Sequence, residues 1–103
     1  MDGIRNLEAE LFKALAHPTR IKILELLRDG EKCVCEIVPL LCVGQPTASQ
    51  HLAILKNSNL AKSEKRGLSV FYSVTNKKIF DILDLAREII VEDFKEKKKM
   101  LNL

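Results

Sequence analysis

Two groups of residues in this 103-residue chain could do chemistry, and both lie between Cys33 and Leu60. Cys33 and Cys35 are thiols two positions apart. Thiolates bind soft ions and undergo reversible oxidation. Further on stand Gln45, Thr47, Ser49, Gln50 and His51. Such small, amide-bearing or imidazole side chains read base edges in a DNA major groove. A base-reading surface beside a reactive group is the arrangement of a switch.

The elements that must position these residues follow from periodicity. Ile4, Leu7, Leu11, Phe12 and Leu15 recur at three- and four-residue intervals, which predicts an amphipathic helix over 4–16. His17-Pro18 ends it, and Pro18 opens a second helix over 18–28 that buries Ile21, Ile23, Leu24 and Leu27. Residues 31–34 form a short connector, and a third helix is expected over 35–41 with Pro39 one turn inside it. Cys42-Val43-Gly44 makes a turn into a fourth helix over 45–56, with Ala48, Leu52 and Leu55 facing inward. Residues 35–56 thus read as a helix-turn-helix.

The period then changes to two. Residues 61–65 and 69–75 read as short strands joined at Arg66-Gly67-Leu68, a tip made basic by Lys62, Lys65 and Arg66 against Glu64. A mostly α chain whose helix-turn-helix precedes a two-stranded β-wing, here 61–75, is a winged helix, and its wing would add phosphate contacts. From Asn76, a candidate N-cap, a long helix is expected to about residue 98. Its apolar residues, Ile79 to Phe94, cover more than one stripe. A face left bare after folding calls for a partner, and the economical one is the same helix of a second copy.

Composition bounds the class. Residues 1–103 are long enough for one small domain, and 47% hydrophobic content with no Trp predicts an aliphatic core. The net charge is only +3, but Ile37 to Ser63 contains no Asp or Glu. A surface approaching phosphates must avoid carboxylates. The DNA contacts expected are therefore Gln45, Thr47, Ser49, Gln50, His51, Lys56, Lys62, Lys65 and Arg66. No apolar run approaches the ~20 residues of a membrane helix and no signal peptide is seen, so the chain reads as complete and cytoplasmic. Three cysteines in a reducing compartment point to metal binding or redox sensing rather than a disulfide framework.

Three segments together, LAHPTRIKILELL at 15–27, CVCEI at 33–37 and QPTASQHL at 45–52, resemble the ArsR/SmtB family of winged-helix repressors. The resemblance spans nearly the whole chain. It implies five helices with a two-stranded wing, a homodimer on an imperfectly palindromic operator, and release when an inducer binds, often a metal or metalloid. Cys33 and Cys35 look like the family's thiolate sensor on the third helix, suited to As(III), Cd(II), Pb(II), Zn(II) or Cu(I). A helix N-terminus would favour their thiolate forms. Residues i and i+2 do not share a helix face, so both sulfurs reach one ion only if Cys33 precedes the helix.

This chain also departs from the family pattern. Val38 stands where arsenic sensors commonly carry a third cysteine, and no cysteine precedes Cys33. Cys42 would lie roughly 10 Å from Cys35 along a continuous helix, too far to share an ion. The last helix offers Asp81, Asp84, Glu88 and Glu92 without histidine, which reads as a solvated acidic face. Lys95 and Lys97 to Lys99 read as a solvated tail, and His17 as a capping or packing residue.

The leading expectation is a DNA-binding repressor released when Cys33 and Cys35 take a thiophilic ion. A thiol redox sensor without metal is the alternative. A protein-interaction module comes from a different class, since winged helices are reused that way. An enzyme is not expected: there is no Cys-x-x-Cys, and no base is placed near a nucleophile.

Overall fold

The computed structural model describes residues 2–102. Its elements are α1 (Asp2–Leu15), α2 (Pro18–Leu26), β1 (Lys32–Cys33), α3 (Val34–Ile37), α4 (Gln45–Asn57), β2 (Ala61–Arg66), β3 (Ser69–Val74) and α5 (Lys78–Leu101). A 3-10 turn, Val38–Leu40, follows α3.

The α1–α2 boundary forms as expected. His17 is extended, and its Nδ1 accepts a hydrogen bond from the Thr19 amide at 3.0 Å, so it caps α2 ahead of Pro18. The third helix is shorter than the expected 35–41. It makes one α-helical turn and then tightens, because Pro39 has no N–H and its ring opposes the carbonyl four residues back. The N-cap position of the last helix is Lys77 rather than Asn76, but Asn76 steadies the entry: its Oδ1 accepts from the Lys78 amide at 2.9 Å. That helix runs one turn past the expected end, to Leu101.

The wing is the expected two-stranded hairpin, β2 with β3. The connector before α3 adds a third strand, giving the antiparallel order β1-β3-β2. Lys32 pairs with Tyr72 and Cys33 with Phe71, while β2 pairs with β3 from Ala61↔Val74 to Arg66↔Ser69. Two residues were too short a run for alternation to mark as a strand. The hairpin closes on Gly67 and Leu68, and Gly67 takes φ +61°, the left-handed geometry such turns require. Asn59, at φ +61°, ends α4 in the same way, and Leu60 N–H donates back to the Leu55 carbonyl at 2.9 Å.

The core is aliphatic. Ile23, Leu24, Leu27, Ile37 and Leu55 are its largest fully buried side chains, joining α2 and α4 over α3. Tyr72 reaches it from β3, and Ile79, Phe80 and Leu83 from the start of α5. Beyond Leu83 no α5 side chain is buried. Arg28 holds Asp84 through two hydrogen bonds, at 2.8 and 3.1 Å, and lies over the Phe80 ring. Arg87 pairs with Glu25 at 2.7 Å. Among the described residues no helix is long and apolar enough to cross a membrane.

Replacing fully buried Leu24 with Ala should cost about 2–5 kcal/mol in urea unfolding, through lost burial and a cavity. Leu68→Ala, at the exposed hairpin tip, should shift the midpoint within error.

Candidate nucleic-acid interface and thiol site

Helix α4 carries its two roles on two faces. Ala48, His51, Leu52 and Leu55 are buried, while Gln45, Thr47, Ser49, Gln50 and Lys56 are exposed. Gly44 precedes the helix without a side-chain cap, so the first free amides of α4 remain available to a phosphate. Lys62 and Lys65 are exposed on β2. Strand side chains alternate, so Lys62 shares a side with Glu64 and Arg66, and Lys65 lies on the other.

Two expected contacts are placed differently. His51 does not face outward, because three residues after Ala48 it falls on the buried stripe. Its ring lies 4.2 Å from that of His17, and Arg20 Nη1 reaches its Nδ1 at 3.2 Å. Arginine can only donate, so Nδ1 of His51 accepts and its proton sits on Nε2. Arg20 is itself held by the Ala14 carbonyl, at 2.6 Å from Nε. The cluster thereby joins α1, α2 and α4 behind the reading face. Burial pushes the His51 pKa down from 6.5, with the charges of His17 and Arg20 acting in the same direction.

Arg66 is exposed, but its guanidinium already has partners. Nη1 and Nη2 donate to the two carboxylate oxygens of Glu31 at 2.6 and 2.7 Å, and Nη2 donates to Glu64 at 3.1 Å. The Phe71 ring lies beneath it at 4.6 Å. The hydrogen bonds from Arg66 hold the Glu31 carboxyl below its usual range, and those to Glu31 and then Glu64 raise the pKa of Arg66. The long separation from Glu31 to Arg66 in sequence hid this contact.

Cys33 is the last residue of β1 and the N-cap of α3, with extended backbone. The geometric condition for bringing both sulfurs together is therefore met, and Cys33 and Cys35 are joined as a disulfide. The Cys35 amide donates to Cys33 Sγ at 3.1 Å, and the Cys33 amide donates to Glu36 at 3.2 Å, completing a capping box. Helix α3 has four residues, so its dipole acts on the thiols less than a full helix would. Cys42 is a free, exposed thiol in the turn, at φ +56°. Among the described residues no group of three or more His, Cys, Asp or Glu is arranged to hold an ion. Cys33 and Cys35 instead open on a groove of about 570 Å³, shared with Gln45, Ser49, Leu68 and Tyr72.

The family description "Bacterial regulatory protein, arsR family" matches residues 17–63. An uncharacterized HTH-type transcriptional regulator of Methanocaldococcus jannaschii is 43% identical over 82 residues, 79% of this chain and 92% of that protein. This chain belongs to the ArsR/SmtB family of winged-helix transcriptional regulators. The family consists of DNA-binding regulators, not enzymes. A cadmium resistance transcriptional regulatory protein CadC homolog of Staphylococcus aureus is 39% identical over 79 residues, 76% of this chain and 65% of that protein. A solution structure of a homodimeric winged helix-turn-helix DNA-binding domain of Mycobacterium bovis, a possible ArsR-family regulator, superposes with TM-score 0.79. It is 26% identical, over 92% of this chain and 88% of that one.

Burial gives His51 a consequence that can be measured. A depressed His51 pKa means the folded state prefers the neutral ring. That stability is complete above pH 6.5 and is lost as pH falls from there through the folded-state value. The fall in thermal midpoint from pH 7.5 to 5 should be smaller in His51→Gln than in the parent protein. An equal fall in both would remove His51 as a cause.

Proposed function

We propose that the chain acts as a homodimeric repressor on operator DNA, and that oxidation or ligation of Cys33 and Cys35 releases it. One observation carries this reading. The two sulfurs meet, and their residues line the same groove as Gln45 and Ser49. A change in the thiols is thus a change at the N-terminal end of the recognition helix.

The surface favours a dimer. Leu85, Ile89, Ile90 and Phe94 of α5 are 58–71% exposed, and Ile4, Leu7 and Phe12 of α1 are 51–69% exposed. An apolar surface of this extent marks an interaction site. The homodimeric M. bovis domain supports the same assembly. On DNA, Gln45, Thr47, Ser49 and Gln50 would read bases, with Lys56, Lys62 and Lys65 contacting phosphates. The work would be done in the cytoplasm.

The adjacent sulfurs favour redox control. Two thiols and one hydrogen peroxide give one disulfide and two waters, and an external dithiol reverses the step by exchange. Likeness to the CadC homolog favours a second reading, ligation of a thiophilic ion such as As(III), Cd(II), Pb(II), Zn(II) or Cu(I). One chain supplies two sulfurs, short of a closed three- or four-donor thiolate site, so further donors would come from a partner or from solvent.

The test is fluorescence anisotropy on the chain's own upstream DNA, with reduced, peroxide-treated and Cd(II)-treated protein. Peroxide should weaken binding about tenfold or more, and dithiothreitol should restore it. Cys33→Ser and Cys35→Ser should abolish the response. Cd(II) release with sulfur-to-metal absorption would establish the ion as inducer. Equal binding in all three states would remove the thiol pair as the input. Lys62→Ala and Lys65→Ala should each flatten the salt dependence by about one unit.

A further inference from the structure

Arg66 occupies the end of the wing, where a cation would be expected to meet the DNA backbone. Its surroundings oppose that role. Arg66, Glu31 and Glu64 together carry a net charge of −1, and a phosphate would have to displace a two-pronged carboxylate to reach the guanidinium. The register shows what the guanidinium holds instead. Cys33, Phe71 and Glu64 form one row straight across the sheet, from β1 through β3 to β2. Arg66 lies on the middle of that row, bonds Glu64 at one end, and bonds Glu31 beside the other.

We infer that Arg66 is a positioning residue that, with Glu31 and Phe71, ties the wing to the strand carrying Cys33, so that the state of the thiols sets where the wing lies. The clamp rests on contacts independent of thiol chemistry; its signalling role rests on the thiol-responsive reading above. Strand β1 is only two residues long, so its own pairing to β3 is slight. The Glu31–Arg66 pair is the side-chain tie that reaches from the segment before β1 to the end of β2. A change in backbone at Cys33 then reaches the hairpin through Arg66 as well as through the Cys33–Phe71 pairing.

Two substitutions separate positioning from phosphate contact. Glu31→Gln keeps the size of the side chain and removes the charge that holds Arg66 to the segment before β1, leaving only its bond to Glu64. Arg66→Lys keeps the charge and loses the planar fork. Operator affinity and its salt dependence are measured for reduced and peroxide-treated protein, with backbone amide spectra of the wing. Both variants should bind the operator about fivefold more weakly when reduced, with an unchanged salt slope. The ratio of oxidised to reduced Kd should shrink towards one. Oxidation should still shift the Cys33 amide but no longer shift Gly67 and Leu68.

Glu31→Gln protein that binds as tightly or more tightly, with a steeper salt slope, would make Arg66 a phosphate ligand and overturn the inference. Undiminished redox ratios and Leu68 shifts in both variants would overturn the signalling role. If the parent protein shows no redox ratio, the thiol reading fails and the signalling role with it. The affinity and slope of the reduced variants then still decide whether Arg66 positions the wing.

Discussion

The packing of α2 against α4 is the constraint on which the other elements depend. Ile23 and Leu24 of α2, Leu27 just beyond it and Leu55 of α4 are buried to 2% exposure or less, with Ile37 of α3 closing the same core. Burying four positions of α4 fixes the rotation of that helix about its axis. Its polar residues are then exposed together, without any interaction that selects them individually. The exposed polar face is the remainder of a packing solution. The His17–Arg20–His51 cluster adds polar contacts at the edge of this core.

The second consequence of that core is the position of the thiols. Pro39 stops α3 after one turn, and the chain entering α3 is close enough to β3 to pair with it. Cys33 is at once a strand residue, a helix cap and half of a disulfide. Few single residues could change both the sheet and the helix-turn-helix. Cys35 is exposed and Cys33 is buried, so reagents reach the pair from one side. The wing, the thiols and the recognition helix meet at one groove.

Helix α5 answers a different requirement. A chain of this size cannot cover a 24-residue helix, and only Ile79, Phe80 and Leu83 are buried. Arg28 and Arg87 hold its first half to α2, and Asp84 is thereby an ion-pair partner rather than part of a free acidic face. Farther along, the apolar side chains are left exposed, as are Ile4, Leu7 and Phe12 of α1. The same long helix thus serves the fold at one end and leaves its other end exposed.

Much of this was legible in the sequence because it depends on neighbours along the chain. Periodicity placed the helices, His17-Pro18 and Asn76 marked their starts, and the acid-free stretch from Ile37 to Ser63 set apart the segment that carries α4. The motifs 15–27, 33–37 and 45–52 carried the family. The tertiary structure decided what depends on distant residues. Two-residue β1 has no periodicity of its own and exists only because β3 lies beside it. His51 reads as a polar residue among polar residues until α2 supplies His17 and Arg20. Arg66 reads as a free cation until Glu31, far back in the chain, is folded against it. Local pattern fixes which face a residue occupies, whereas the partner that neutralises a charge or pairs a strand is set by packing.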